Sequence, residues 1–204
     1  MFLPKVIPIA MLKTLEASLS ELRASYQPFV CKRAITRGEQ HALAVYHFGW
    51  WKFYTKVPSL IRDTATIAGQ KFLAANVELW KLVDKLFHYY FPSIAACHSR
   101  VEKGLISQLQ SFSSLVVNVE MQSIPHRDYG EAVDGMAAVF NLGDYSGGEL
   151  YLHEPKVAIT SYPCDLSLIN SFKITHSSLQ IFAGKKTSFV LFSHQNMLNF
   201  YNVQ

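Results

Sequence analysis

The chain carries His126-Arg127-Asp128, then His176 at 48 residues beyond the Asp, then Lys186 ten residues further and Ser188 two beyond that. Two imidazoles and one carboxylate are the donor set that occupies one face of a non-haem Fe(II) and leaves the opposite positions open. A lysine ammonium beside such a centre can hold the far end of an anionic co-substrate, with a serine hydroxyl as a second donor. HxD alone decides little, because a chain with eight histidines produces it readily by chance. A buried, hydrogen-bonded histidine is also the ordinary fate of any single one. The joint placement of four residues carries the weight.

Those residues need strands to aim them. Ser114–Gln122 alternates Val117, Val119 and Met121 with Val116 and Asn118. His126 and Asp128 follow it, and period-2 geometry turns both side chains to one side. Gly135–Asn141, the Glu149-Leu150-Tyr151-Leu152 run after Gly147-Gly148, Asp165–Ile169 and Ser188–Phe192 read as further short strands. Short strands separated by Gly, Asp and Ser turns predict a jelly roll. His176 then falls where a later strand returns beside the HRD, and Lys186 opens the last strand with Ser188 facing the same way.

Before residue 110 the period is helical. Leu12, Leu15, Leu19 and Leu22 predict an amphipathic helix over Met11 to Ser25. Asn76 is expected to cap a second helix with Leu79, Leu82, Val83, Leu86 and Phe87 on one face, and Pro92 to end or kink it. A further helix is expected over 94–108. His41 to Tyr54, rich in aromatics, reads as a strand or a covering loop. The expected fold is α+β: one domain over 1–204, with mainly helical support in 1–110 and a double-stranded β-helix core in 111–204.

Half the 204 residues are apolar and 13% are aromatic, which excludes a disordered chain. Mean hydropathy is +0.11 and the pI about 8.9, with a net charge of +4; this mild basicity permits an anionic partner without requiring one. Cys31, Cys97 and Cys164 form no CxxC, so reduced thiols inside a cell are expected, not a disulfide framework or structural zinc. MFLPKVIPIAM lacks the basic flank of a signal peptide, and no run of about 18 apolar residues predicts a membrane span.

HxD…H…KxS resembles the signature of Fe(II)/2-oxoglutarate dioxygenases, and the likeness covers Leu115 to Gln195, about two-fifths of the chain. The HRD, Gly135 nine residues after the first His, and FNLGDYSGGELYL are similar to the TET/J-binding-protein branch, in particular its short fungal members. That branch oxidises the methyl of 5-methylpyrimidines in DNA. The resemblance implies that His126, Asp128 and His176 hold Fe(II). It implies 2-oxoglutarate and O2 as co-substrates, with ascorbate as an accessory reductant. It assigns the distal carboxylate of 2-oxoglutarate to Lys186 and Ser188, with Asn118 as a weaker candidate; Arg33, Arg37 and Lys173 are the alternative anchors.

Where the branch places Asn or Asp to grip the cytosine amino group, this chain has Glu131, which can accept from N4 or be an ordinary loop acid. Tyr129 can stack on a flipped base or simply pack. Arg127 can touch phosphate or pair with an acid such as Glu131. Lys32, Arg33, Arg37 and Lys156 are the other cations available to a phosphate backbone. A DNA substrate implies a nuclear location. A prolyl or lysyl hydroxylase is the rival reading, since Lys at the co-substrate site also occurs there. A non-catalytic binding relative is a third, against which the intact His126/Asp128/His176 set argues.

Overall fold

Leu12, Leu15, Leu19 and Leu22 recur at three- and four-residue intervals, and the segment is helical: α1 runs Ile9–Ser25 and buries all four. The protein is described by a computed structural model covering residues 1–28, 44–52, 56–104 and 108–202. Helix α2 (Ile67–Ala75) starts where the Thr66 hydroxyl accepts from the Gly69 N–H at 2.9 Å. Helix α3 (Val77–Tyr90) follows and buries Leu79, Trp80, Val83 and Phe87.

Asn76 lies between α2 and α3 but does not cap with its side chain. Its Nδ2 donates instead to Ser18 Oγ and Phe72 O, both at 2.8 Å, which ties α1 to the junction. Pro92 opens the next helix, α4 (Pro92–Gly104), because the first helical position needs no N–H; residues 105–107 of the expected 94–108 helix lie outside the described residues. A last helix, α5 (Gln195–Asn202), has no counterpart in the sequence reading. Among the described residues no helix is long and apolar enough to cross a membrane.

The strands, in chain order, are β1 (Phe2–Leu3), β2 (Ala44–Trp51), β3 (Ser59–Leu60), β4 (Ser114–Val119), β5 (Ala137–Leu142), β6 (Tyr145–Gly147), β7 (Leu150–Leu152), β8 (Val157–Ile159), β9 (Leu166–Ile169), β10 (His176–Ser178), β11 (Ile181–Gly184) and β12 (Thr187–Phe192). A large antiparallel sheet has the order β1-β9-β5-β12-β4-β2-β3, and two smaller sheets are β10-β7-β8 and β11-β6. The expected boundary near residue 110 does not divide helices from sheet. Within the aromatic segment Ala44–Trp51 is strand β2, which pairs along the whole of β4 with Phe48 opposite Leu115; its residues 41–43, 53 and 54 lie outside the described residues.

Alternation gives the large sheet two faces. Tyr46, Phe48, Leu115, Val117, Phe140, Phe189 and Leu191 face the helices and share one core with Leu15, Leu79, Trp80, Val83 and Phe87. Phe140 and Phe189 stack with centroids 5.1 Å apart. Each such side chain is worth about 1.5–3 kcal/mol on burial, and this layer supports the sheet. The opposite face carries Val116, Val139, Val190 and Phe192, against which Leu150 of β7 packs. The smaller sheets therefore close over it as a double-stranded β-helix. Register places Asn118, Ser188 and Asn141 in one row across that inner face.

His98 on α4 is buried against Phe87 and Phe112, with ring centroids at 5.3 and 6.4 Å, and neither ring nitrogen has a hydrogen-bond partner among the described residues. Burial first, and then the neighbouring His88, push its pKa down to about 4. The unfolded chain, with an ordinary imidazole near 6.5, binds the proton more readily, so stability falls as pH drops from about 6.5 towards 4. His98→Leu is expected to remove much of that acid loss. Urea denaturation of both proteins at pH 7 and pH 4.5 measures it, and equal pH dependence in the two contradicts this account.

Candidate functional site

His126 lies beyond the end of β4 and joins β10 through a single antiparallel bridge to His176. The two residues exchange both backbone bonds: His126 N–H donates to His176 O at 3.0 Å, and His176 N–H donates to His126 O at 2.9 Å. Residues directly opposite in such a pair point to the same face, and the imidazole centroids are 4.4 Å apart. Asp128, two residues on, shares that face. Its Oδ2 lies 3.3 Å from His176 Nε2 and its Oδ1 3.8 Å from His126 Nε2. The three donor atoms all lie within 4.8 Å of one another, a little wider than the roughly 4 Å spread that ligand bonds of about 2.0–2.2 Å allow around one ion.

The donor set fits a divalent metal. His126 Nδ1 is 2.7 Å from Ile124 O and His176 Nδ1 is 3.0 Å from Ile174 O. A carbonyl only accepts, so in each ring Nδ1 carries a proton, and Nε2, on the side of the Asp128 carboxylate, is the nitrogen that a neutral ring would offer to a metal. Two imidazole nitrogens and a carboxylate around one point are a donor set for a divalent cation. The carbonyls also hold the rings in orientation, as outer partners of metal-binding histidines do.

Lys186 precedes β12 and is buried. Its Nζ donates to Gly148 O at 2.5 Å and sits 5.5 Å from the centre of the Tyr145 ring. Gly148 is required there: its φ is +69°, and a Cβ would come within 2.9 Å of Ile181 and 3.3 Å of Lys186. Burial lowers the Lys186 pKa to about 8, opposed by the charge of Glu149. Ser188 Oγ donates to Asn141 Oδ1 at 2.8 Å, and Asn141 Nδ2 donates to Ser161 Oγ at 3.2 Å. Asn118 sits opposite Ser188 on β4. Lys186, Ser188 and Asn118 are thus gathered at one end of the inner face, and Asn141, absent from the sequence reading, joins them. Lys185 is exposed and pairs with Glu120 at 3.4 Å.

Glu131 is not an open loop acid: it is buried and accepts a short hydrogen bond from Ser171 Oγ. Burial, and then the Asp128 charge, raise its pKa well above the usual carboxylate range, against the pull of the Ser171 hydroxyl. Arg127 pairs with an acid, one of the two expectations for it, and that acid is Glu154, at 2.5 Å, in place of Glu131. Lys173 pairs with Asp134 at 2.6 Å on the exterior and stands apart from the Lys186 group. Tyr129 is 71% exposed and meets Phe172 edge-on at 5.9 Å, so it does not pack into the core. Lys32, Arg33 and Arg37 lie outside the described residues.

Sequence reasoning missed His194 and Phe192. His194 bridges Glu131 through the backbone, and its ring meets Phe192 edge-on at 5.0 Å. The signal was present: 186, 188, 190, 192 and 194 share one face of a strand by alternation.

No family model matches the chain, and no curated protein matches it by sequence. Solved structures match by fold. NgTET1 in complex with 5mC DNA aligns with a TM-score of 0.75 over 96% of this chain and 72% of its own, at 16% identity. A prolyl hydroxylase from Trichoplax adhaerens, in complex with a hypoxia inducible factor oxygen degradation domain peptide fragment, aligns at 0.57 over 98% of this chain and 86% of its own, at 14% identity. An oxidoreductase of the 2OG-Fe(II) oxygenase family from Burkholderia pseudomallei aligns at 0.51 over 87% and 77%, at 14% identity. The chain shares its double-stranded β-helix fold with these proteins.

A buried ammonium costs stability. Lys186 loses its proton near pH 8 in the folded state but near 10.4 when unfolded, so folding is penalised below pH 8 and the penalty fades towards pH 10. Lys186→Met is therefore expected to raise the melting temperature at pH 7 by several degrees and by less at pH 10. A variant that melts lower than the parent at both pH values contradicts the assignment of a strained, buried cation.

Proposed function

We propose that this protein is an Fe(II)- and 2-oxoglutarate-dependent dioxygenase that oxidises the methyl group of 5-methylcytosine, or of another methylated pyrimidine, in DNA. The observation that carries the oxygenase reading is the convergence of His126, Asp128 and His176 on one point, with both Nε2 atoms on the side of the Asp128 carboxylate. When bound, iron, 2-oxoglutarate and O2 together supply the oxidation that turns a substrate C–H into C–OH, with succinate and CO2 as co-products.

The chain's own residues bind and orient. His126 and His176 offer neutral nitrogens and Asp128 a carboxylate, leaving positions open for co-substrate and O2. Lys186 meets the distal carboxylate of 2-oxoglutarate with a point charge, and Ser188 adds a hydroxyl donor, with Asn118 and Asn141 alongside. Val116, Val139 and Val190 on the same face keep water from this end and strengthen the charge pairing. Because burial lowers the Lys186 pKa to about 8, affinity for the dicarboxylate is expected to fall as pH rises through that value.

The DNA reading is supported by the fold likeness to NgTET1, solved with 5mC DNA, at a TM-score of 0.75. Glu131 lies beside Asp128 and bridges His194 through the backbone, and the exposed ring of Tyr129 directly follows Asp128. Together these provide a carboxyl, an imidazole and an aromatic face for a flipped base. Flipping costs a few kcal/mol, which phosphate contacts must offset. Lys156 is exposed and the net charge is +4. A protein hydroxylase is the second reading, favoured by the likeness to the Trichoplax adhaerens prolyl hydroxylase at 0.57.

The test is incubation with Fe(II), 2-oxoglutarate and ascorbate together with methylated DNA, methylated RNA and proline- and lysine-containing peptides, read by mass spectrometry. Hydroxymethylpyrimidine in DNA is expected. Oxidation of a peptide alone moves the assignment to the hydroxylase reading, and absence of succinate under every condition overturns the oxygenase. Lys186→Ala is expected to raise KM for 2-oxoglutarate about 10- to 100-fold, since a charged hydrogen bond contributes roughly 1.5–3 kcal/mol; an unchanged KM rules Lys186 out as the anchor.

A further inference from the structure

Alternation that turns His126 and Asp128 inward turns Arg127 outward. With His126 opposite His176, Arg127 stands opposite Thr175, and its Nε donates to Thr175 Oγ1 at 3.0 Å. Its terminal nitrogen donates to Glu154 Oε1 at 2.5 Å. Glu154 also accepts from the Thr175 hydroxyl at 2.7 Å and the Thr175 N–H at 2.8 Å, and the Thr175 carbonyl accepts from His153 N–H at 2.9 Å. Every polar atom of Thr175, the residue before His176, is therefore engaged. The same contacts, Thr175 first and Arg127 second, hold the Glu154 carboxyl down to about 2.

The location gives this cluster its meaning. The His126–His176 bridge lies outside the regular ladder and has two hydrogen bonds of its own. Upstream it is braced by Ser123 and Ser178, which exchange backbone and hydroxyl bonds at 2.9–3.1 Å. Downstream, the brace is the Arg127–Glu154–Thr175 cluster. Arg127 and Glu154 side chains are 37% and 44% exposed, so as a surface ion pair they add little to global stability. Their effect is local: they join the HRD segment, the chain after β7 and the start of β10.

We propose that Arg127, Glu154 and Thr175 form a positioning triad which, from the outer face of the strands, sets the spacing of the His126 and His176 imidazoles and so the affinity of the centre for its metal. This rests on the reading that His126, Asp128 and His176 hold a divalent ion. The triad touches neither metal nor substrate; it acts through the backbone of the ligand residues. It also accounts for Arg between the two ligands, where only the flanking residues face inward.

The probe is Co(II), titrated into metal-free protein and followed by its visible absorption, with thermal melting recorded on each sample. Thr175→Val removes the hydroxyl while keeping the shape, Glu154→Gln removes the charge, and Thr175→Ser restores the hydroxyl. Thr175→Val and Glu154→Gln are expected to weaken Co(II) binding about tenfold, the low end for outer partners of metal ligands. Their melting temperatures are expected to stay within a few degrees of the parent. Thr175→Ser is expected to bind within about twofold of the parent. Unchanged Co(II) affinity in both Thr175→Val and Glu154→Gln overturns the triad while leaving the metal centre intact, and so does a loss shared equally by Thr175→Ser. A parent protein that binds no Co(II) overturns the metal centre itself, and the triad with it.

Discussion

The arrangement depends on the two backbone hydrogen bonds that His126 and His176 give each other. They are 50 positions apart in the chain, and this one bridge turns a local HxD into a three-donor cluster. A shift of one residue in that register would send one imidazole to the opposite face. The carbonyls of Ile124 and Ile174, each two residues before its histidine, then set the ring tautomers. The bridge also brings Arg127 opposite Thr175.

Around it, the molecule separates supporting surface from working surface. One face of the large sheet is aromatic and aliphatic and is sealed by α1, α2 and α3. The other keeps groups that are costly to bury: the Lys186 ammonium, the Glu131 carboxyl and the Asn118–Ser188–Asn141 row. Apolar burial on the first face offsets polar burial on the second, which is how a fold carries a site that lowers its stability. The depressed Lys186 and the raised Glu131 have the same leading cause, loss of water around a charge, acting on groups of opposite sign.

Much of this was legible in the residues. The α1 leucines, strands β4, β5, β7, β9 and β12 and the inward pairing of His126 with Asp128 all follow from period. What was not legible has physical reasons. Asn76 looks like a cap, but its amide found Ser18 across the core, a contact no local pattern announces. Helix α2 is short and lacks a strong apolar stripe, so only its Thr66 cap marked it. Strand β2 has aromatics on consecutive positions because parts of both faces are covered, which blurs the alternation that identifies a strand. Residue type leaves Glu131 between a base contact and a loop acid, and Arg127 between phosphate and a nearby acid, because the Ser171 hydrogen bond and the Glu154 pairing are long-range events, 40 and 27 residues away in sequence. His194 was overlooked although strand parity reaches it.

The central claim is that His126, Asp128 and His176 hold one Fe(II) beside a 2-oxoglutarate anchored by Lys186. Its most direct test is anaerobic visible absorption: Fe(II) bound by a 2-oxo acid gives a charge-transfer band that neither gives alone. The account predicts a band that saturates at one iron per chain once 2-oxoglutarate is added and is lost in Asp128→Ala. No band in the parent protein, or one of equal intensity in Asp128→Ala, would contradict it.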